Sequence, residues 1–449
     1  MTNIDKRQKF VFSITYGCQM NFSDAERMEG ELARLGYAAV DSMEQASLII
    51  INTCCVRETA EDKVYGKIGE IKALKRRNPD LIFGITGCMA QKEGEKLIRR
   101  APHIDFVLGT NKVHEVVSTV QKLETAQARH IVDTELREAE MPEDVAVHRK
   151  TALSAWIPIM YGCNNFCTYC IVPYVRGRER SRMPEDIVRE AEEAAAQGFK
   201  EVTLLGQNVN SYGKDHQKAS FAGLLELVDG VEGIERVRYM TSHPKDLSDE
   251  VIEVIKNSRH ICRHFHLPVQ HGSNRILKAM NRVYTVEQYR ELVRKIRAAV
   301  PDASLTTDLI VGFPGETEED FQQLLDFLAE IRYDQAYTFI YSRRSGTPAA
   351  EMPEQVEDAC KHERLNRLMA LQNQISLEIN QQLVGRVLEV MVEGPSQTDA
   401  AVWTGRTGTN KILLWQHVGT EKPGDLVQVE VQQAQTWILK GKLHGHALL

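Results

Sequence analysis

The sequence lacks long hydrophobic runs, an excess of positive charge and any strong compositional bias. Apolar stretches such as Leu48 to Ile51 are interrupted within a few residues, whereas a membrane-spanning helix needs about 20. Met1 to Lys9 is polar, so no secretory leader is expected. With 43% hydrophobic and 26% charged residues among 449, the composition excludes a disordered, collagenous or coiled-coil chain. These absences indicate a cytoplasmic globular protein with several domains and no membrane partner.

Cysteines mark the ends of three similar segments in the first third of the chain. Each segment is an apolar run of strand character followed by a cysteine and a helical stretch, and the cysteines are Cys18, Cys54 and Cys88, spaced by 36 and 34 residues. This pattern predicts a parallel-sheet α/β domain over residues 8–124, followed by a linker from Lys122 to Arg149. Loops that follow parallel strands open on the same edge, so the three thiols should share one rim and can form a metal-binding set. Without a secretory leader, such cysteines are better explained as metal ligands or catalytic thiols than as disulfides.

Two further domains are predicted after this linker. Six strand-like runs alternate with amphipathic helical stretches, one of which opens with a capping box at Thr317 to Asp320. This alternation predicts a partial (βα)6 barrel over residues 149–380, with its functional face at the carboxyl ends of the strands. Short β-rich runs separated by Gly, Pro and Asn then predict a small antiparallel β-barrel over residues 383–446.

The densest cysteine motif follows the first barrel strand. Cys163, Cys167 and Cys170 lie within eight residues. A structural zinc site remains an alternative, but zinc normally requires a fourth Cys or His, and the nearest downstream candidate is the remote His216. Three thiolates on a four-iron cluster would leave one iron open to bind a substrate.

This Cys-x3-Cys-x2-Cys spacing on a βα pattern resembles the radical S-adenosylmethionine (SAM) enzymes, and nearly the whole chain resembles their methylthiotransferase branch. Beyond the two cysteine sets, the resemblance is carried by the stretches Asn52–Glu58, Ala60–Gly66, Gly87–Gln91 and Gly405–Lys411. Two positions depart from the family pattern, since Cys55 adds a thiol beside Cys54 and His271 stands where Ser is expected. The resemblance implies a carboxy-terminal TRAM domain that binds RNA.

The resemblance also implies the cofactors and the reaction. Two [4Fe-4S] clusters are expected, one on each cysteine set, and the open iron of the second would bind SAM for reductive cleavage to a 5′-deoxyadenosyl radical. The residues expected to bind SAM are Tyr169, Gln207, Ser242, Gln270 and Gly312. The expected activity adds a methylthio group to carbon 2 of N6-dimethylallyladenosine beside the tRNA anticodon. It would require an external electron donor and a sulfur source.

Several alternatives stay open. Related enzymes act on threonylcarbamoyladenosine or on a ribosomal-protein aspartate, and a protein of another class would be an RNA-binding module with zinc in both cysteine sets. The net charge of −7 argues against nucleic acid as a default partner, but four arginines just after the second cysteine set form a local basic segment that is predicted to bind the anticodon stem-loop: Arg176, Arg178, Arg180 and Arg182. The barrel histidines His243, His264 and His266 are interpreted as packing residues with satisfied hydrogen bonds.

Overall fold

A computed structural model describes residues 8–54, 58–136, 146–149 and 153–444. The chain forms two compact units. The first contains the described residues up to 149 together with 161–164 and 171–179. The second contains the remaining described residues, so the barrel and the carboxy-terminal domain belong to one unit.

The first unit is built on a six-stranded parallel sheet with strand order β2-β1-β3-β4-β5-β6. Its strands are β1 Lys9–Thr15, β2 Tyr37–Ala39, β3 Leu48–Thr53, β4 Ile82–Thr86, β5 Phe106–Leu108 and β6 Ile131–Asp133. Its helices are α1 Gln19–Arg34, α2 Glu58–Arg77, α3 Gly87–Glu93, α4 Glu95–Arg100, α5 Val116–Glu124 and α6 Val172–Arg176, with short 3-10 turns at Met43–Gln45 and Thr110–Glu115. The α/β parallel-sheet prediction is confirmed. The sheet nevertheless continues past the expected boundary at 124, because β6, within the segment interpreted as a linker, pairs alongside β5 as an additional strand.

The second unit begins with six parallel barrel strands in two three-stranded sheets, β11-β10-β7 and β12-β13-β14, which are joined through an isolated bridge between Val237 and Ile261. The strands, including the two-residue β8 and β9, are β7 Ser154–Pro158, β8 Met160–Tyr161, β9 Arg180–Ser181, β10 Glu201–Leu205, β11 Arg236–Tyr239, β12 His264–His266, β13 Ser304–Val311 and β14 Gln335–Ile340. The helices are α7 Pro184–Ala196, α8 Phe221–Asp229, α9 Asp249–Asn257, α10 Asn274–Ala279, α11 Val286–Ala299, α12 Glu318–Ile331, α13 Pro348–Glu351 and α14 Asp358–Gln381, with 3-10 turns at Val209–Ser211 and Pro244–Asp246. Thr317 caps α12 in the predicted capping box with Asp320.

The carboxy-terminal domain is a closed five-stranded barrel with strand order β15-β16-β17-β19-β18. Its strands are β15 Val387–Pro395, β16 Val402–Thr407, β17 Ile412–Gln416, β18 Leu426–Ala434 and β19 Ile438–Leu443. The predicted small barrel is confirmed, with one difference in detail. The pair β17–β19 is parallel, because β18 and β19 form a hairpin that returns to close the barrel against β17.

Within the second unit the small barrel is joined to the larger one by buried polar contacts. Arg238 Nη2 on β11 donates to the carbonyl of Thr407 at 2.9 Å, and Lys411 Nζ lies 2.6 Å from Asp334 Oδ1. Lys411 also donates to Asn380 Oδ1 near the end of α14 at 2.9 Å. These contacts set the orientation of the two barrels within the unit.

Candidate metal and cofactor sites

The three amino-terminal cysteines lie at one edge of the first sheet. Cys18 is the N-cap of α1 directly after β1, Cys54 follows β3, and Cys88 is the second residue of α3 directly after β4. Strands β1, β3 and β4 are neighbours in the sheet, and a parallel bridge joins Thr53 to Gly87, the residues that precede Cys54 and Cys88. The common rim predicted from the sequence is therefore present.

Close packing of the loops brings the first two cysteines together. Gly17 has a φ of +125°, and a Cβ there would lie 2.6 Å from Cys54 Cβ and 3.1 Å from its sulfur. Only glycine fits both that backbone conformation and that approach. Asn21 in the first turn of α1 holds both loops, because its Nδ2 donates to the carbonyls of Tyr16 at 2.8 Å and Thr53 at 3.0 Å. Cys54 and Cys88 are buried and Cys18 is exposed, whereas Cys55 lies outside the described residues.

The second cysteine set occupies the loop after β8. Cys163 and Cys167 are buried and Cys170 is half-buried. The segment from Cys167 to Cys170 forms a turn in which the Cys170 N–H donates to the Cys167 carbonyl at 3.0 Å. Within this turn, Thr168 anchors the loop to the end of α10, because its hydroxyl donates to the carbonyl of Ala279 at 2.9 Å.

Arg282 contacts the second cysteine set and was missed by sequence reasoning. Its Nη1 lies 3.4 Å from Cys167 Sγ, while Nη2 donates to the carbonyl of Pro268 and Nε to the hydroxyl of Tyr284. Although burial opposes its charge, the nearby Tyr169, Tyr284 and Cys167 hold the pKa of Arg282 above its usual value. The sequence carries no signal for this contact, because 115 residues separate Arg282 from Cys167.

The residues expected to bind SAM follow four barrel strands at their carboxyl ends. Gln207, Ser242, Gln270 and Gly312 come after β10, β11, β12 and β13. Within the described chain, Gln207 Oε1 and Asn210 Nδ2 are buried without a hydrogen-bond partner. Asn210 was not predicted; its Oδ1 lies 3.4 Å from the Ser242 hydroxyl, so it belongs to the same polar surface. Unpaired buried acceptors and donors are what a polar ligand can satisfy. Tyr169 is half-buried against Phe313 and its neighbours.

A buried carboxylate organises the loop that contains Gly312. Glu316 Oε2 accepts from the Gly312 N–H at 2.9 Å and faces His271 Nε2 at 3.2 Å, while Oε1 accepts from Arg364 Nη1 at 2.7 Å. His271 Nδ1 accepts from the Ser273 N–H, so its Nε2 carries the proton and donates to Glu316. The departure from the expected Ser at position 271 therefore supplies a hydrogen-bond donor to the glycine loop.

The three barrel histidines have protein partners. His264 Nε2 and His266 Nδ1 lie 2.8 and 3.0 Å from the Thr306 hydroxyl, and His243 Nδ1 accepts from the Lys245 N–H. Burial lowers the pKa of all three, to about 2 for His243, with a further contribution from Arg282 in that case. They are therefore neutral at physiological pH.

Two of the four predicted RNA-binding arginines are placed differently by the structure. Arg176 donates to Asn21 and Asp24, and Arg182 donates to Glu190 and to the carbonyl of Pro158, with both guanidinium groups buried. Both guanidinium groups are thus enclosed by protein acceptors. Arg178 is exposed and Arg180 half-buried, and for all four arginines the RNA contact remains a prediction.

In the part of the chain that the structure describes, no group of three or more His, Cys, Asp or Glu side chains is arranged to hold a single metal ion. A four-iron cluster has a different geometric requirement, since each thiolate binds a different iron. In the same described ranges, no helix is both long and apolar enough to cross a membrane.

Comparisons with known proteins give one consistent result. Residues 10–109 match the Uncharacterized protein family UPF0004, residues 157–328 the Radical SAM superfamily and residues 381–444 the TRAM domain. A tRNA-2-methylthio-N(6)-dimethylallyladenosine synthase of Desulforamulus reducens is 52% identical over 448 residues, which covers 99% of this chain and 97% of that protein. The enzyme of the same name from Carboxydothermus hydrogenoformans is 52% identical over 439 residues, covering 97% of this chain and 99% of the relative.

Solved structures support the fold. The radical S-adenosylmethionine methyltransferase TsrM from Kitasatospora setae, determined with cobalamin and a [4Fe-4S] cluster bound, superposes with a TM-score of 0.57 at 15% identity, covering 89% of this chain and 81% of TsrM. The cobalamin-dependent S-adenosylmethionine radical enzyme OxsB gives a TM-score of 0.52 at 13% identity, covering 81% of this chain and 56% of OxsB.

Proposed function

The chain belongs to the family of tRNA-2-methylthio-N(6)-dimethylallyladenosine synthases, and we propose that it performs their reaction with two [4Fe-4S] clusters, one on each set of three cysteines. It is a radical SAM methylthiotransferase that acts on tRNA, and the resemblance stated from the sequence is confirmed. The names of the relatives favour prenylated adenosine over threonylcarbamoyladenosine or a ribosomal-protein aspartate. The observation that carries the proposal is the convergence of Cys18, Cys54 and Cys88 on one sheet edge in a chain that has a second three-cysteine motif.

The donor chemistry of both cysteine sets fits iron–sulfur clusters. Each set offers three thiols, which are soft ligands suited to iron, and leaves one iron of a cube without a protein ligand. Each set also has a buried arginine beside it, Arg176 in the first unit and Arg282 in the second, which suits a negatively charged cluster. When bound at Cys163, Cys167 and Cys170, the cluster together with SAM supplies the reductive cleavage that generates a radical.

The residues around the barrel mouth have assignable roles in this proposal. Gln207, Ser242 and Asn210 offer polar atoms to SAM, and Gly312 presents backbone that Glu316 holds in place. Gln270 has a φ of +74°, and hydrogen bonds between its backbone and that of Asp308 and Ile310 hold it there. Tyr169 lies within the cysteine loop and packs against the cluster that contains Phe313, and it is proposed to contact the adenine.

The partners and cellular setting are proposed from the same reading. The anticodon stem-loop would contact the TRAM domain together with Arg178 and Arg180, and a splayed base would enter the barrel mouth. An external electron donor and a sulfur source are required, and the protein is proposed to act in the cytoplasm. The functional segments are proposed as 8–124, 149–380 and 383–446, with β6 extending the first.

Anaerobic reconstitution followed by turnover on a prenylated anticodon stem-loop tests the function. We expect methylthiolated prenyladenosine by nucleoside mass spectrometry, and no such product from the same stem-loop without the prenyl group. Methylthiolation of a threonylcarbamoylated stem-loop alone would reject the substrate assignment. Stoichiometric zinc with neither iron nor sulfide would reject the enzyme in favour of a zinc-containing RNA-binding module.

A further inference from the structure

A buried arginine lies beside the amino-terminal cysteines although the sequence suggested an RNA contact for it. Arg176 belongs to α6, six residues after Cys170, and the structure groups α6 with the first unit. Its Nη2 donates to Asn21 Oδ1 at 2.7 Å and to Asp24 Oδ2 at 3.0 Å. Asn21 is the residue that ties the Cys18 loop to the Cys54 loop, so the guanidinium bonds directly to the framework of the cysteine rim.

Helix α6 also covers the third cysteine. Cys88, Ile171 and Val175 form one buried apolar cluster. The carbonyl of Val175, the residue before Arg176, accepts from the hydroxyl of Thr110 at 2.5 Å, which fixes the end of the helix against the first unit. On the other side, Cys18 Sγ lies 3.9 Å from Asn21 Oδ1, the atom to which Arg176 donates.

The charge balance at this rim favours a cationic residue. Burial opposes the charge of Arg176, but a guanidinium stays protonated in proteins, and Arg176 Nη2 lies 3.0 Å from the carboxylate of Asp24. A cube with three thiolates carries a net negative charge that increases on reduction. A buried negative group needs a compensating positive charge, and Asp24 alone would add to the negative charge.

We propose that Arg176 is an electrostatic positioning residue of the amino-terminal cluster. It supplies the positive charge that stabilises the reduced cluster, and through Asn21 it holds the Cys18 and Cys54 loops at the spacing the cluster requires. This inference rests on the proposed amino-terminal cluster, and its test is designed to separate the existence of that cluster from the role of Arg176.

The test uses the full chain with Cys163, Cys167 and Cys170 replaced by Ala, so that only the amino-terminal set can hold a cluster. After anaerobic reconstitution, potentiometric titration followed by electron paramagnetic resonance gives the midpoint potential. Arg176→Gln should make the midpoint potential more negative by at least about 59 mV. For a one-electron couple this corresponds to a tenfold change in the ratio of reduced to oxidised cluster. Asp24→Asn removes a negative charge and should shift the potential in the opposite direction.

Two controls separate electrostatics from folding. Arg182→Gln removes an equally buried arginine whose carboxylate partner, Glu190, lies in the second unit, and it should leave the potential unchanged. If Arg176→Gln takes up no iron, Arg176→Lys, which keeps the charge, must restore iron binding and a potential close to that of the parent chain.

The outcomes are distinguishable. Opposite shifts for Arg176→Gln and Asp24→Asn support the inference. Shifts in the same direction, a potential unchanged by Arg176→Gln, or failure of Arg176→Lys to restore iron would overturn it while leaving the amino-terminal cluster in place. Absence of any four-iron signal from the parent triple-Ala chain would instead reject the amino-terminal cluster, and the inference with it.

Discussion

At the residue scale, we expect the hydrogen bond from Arg282 to Cys167 to set the midpoint potential of the cluster at Cys163, Cys167 and Cys170. Arg282→Met removes both the donor and the positive charge, so we expect a lower midpoint potential for this cluster and a fall in SAM cleavage of about tenfold or more, as for other partners of metal ligands. The carbonyl of Pro268 also loses one of its two donors, the other being the Tyr284 hydroxyl at 3.3 Å, at a cost of about 1 kcal/mol in stability. Potentiometry and 5′-deoxyadenosine production measure the two effects, and an unchanged potential would contradict the assigned role.

The two cysteine sets should fail in different ways. Cys167→Ala is expected to abolish SAM cleavage while the protein still folds, because the barrel core does not depend on this loop residue. Cys88→Ala should leave cleavage intact and block sulfur insertion. Production of 5′-deoxyadenosine and of methylthiolated nucleoside are measured on the same samples. Equal loss of cleavage in both variants would show that the sets do not have separate roles.

The sequence predicts the positions of some functional residues but not those of others. Cys18, Cys54 and Cys88 could be brought to one rim from strand spacing, because parallel strands impose that geometry. Arg282 could not be connected with Cys167, since only the closed barrel brings them together. The burial of Arg176 with Asp24 could not be predicted, because a run of arginines in a sequence is typical of an exposed basic surface.

At the element scale, Glu316 joins the glycine loop after β13 to α14. Glu316→Gln removes the buried carboxylate that faces Arg364, whose remaining charged partner is the exposed Glu318 at 3.4 Å, and offers one acceptor where the carboxylate offers two. Breaking a buried ion pair in this way should cost about 3 kcal/mol or more. The matched control is Glu318→Gln, an exposed carboxylate that pairs with Arg367 at 2.8 Å and with Arg364 at 3.4 Å. Because Arg364 keeps Glu316 in this variant, the loss should be no more than about 1 kcal/mol. Denaturant unfolding measures both, and equal losses would contradict this account of the loop.

Because the barrel histidines are buried and neutral, we expect the stability of the barrel to fall in acid. In the unfolded chain a histidine protonates near pH 6.5, whereas folded His243 has a pKa of about 2, so the unfolded state binds more protons as the pH falls below 6.5. The folded state therefore loses up to about 1.4 kcal/mol per pH unit from this residue, and above pH 6.5 there is no such loss.

His243→Asn isolates this contribution, since the Asn oxygen can still accept from the Lys245 N–H. The difference in free energy of unfolding between wild type and variant should change by about 1.4 kcal/mol per unit between pH 6.5 and 4.5, because all other titrating groups cancel. A pH-independent difference would show that His243 protonates in the folded protein.

Among the elements, those with strong local signals were predicted and those defined by tertiary pairing were not. The six barrel strands and the α12 capping box follow from hydrophobic periodicity and side-chain chemistry. Strand β6 has only three residues, and its pairing with β5 is what defines it. The parallel pair β17–β19 likewise arises from closure of the small barrel rather than from any local pattern.

At the scale of the whole molecule, the chain combines an amino-terminal sheet that carries three cysteines, a radical SAM barrel with its own cysteine motif and a TRAM barrel. Matches to three family models cover most of its length, in the order that the sequence analysis expected. The domain order could be predicted because each domain has its own periodicity and its own motif. How many clusters the molecule holds is a question about its metal content.

The central claim is therefore tested most directly by iron and sulfide analysis of anaerobically reconstituted protein, combined with Mössbauer spectroscopy. The account predicts about eight iron and eight sulfide ions per chain, all in [4Fe-4S] clusters, and half of that content after replacement of Cys18, Cys54 and Cys88 by Ala. About four iron ions in the unaltered chain, with no loss after that replacement, would contradict it.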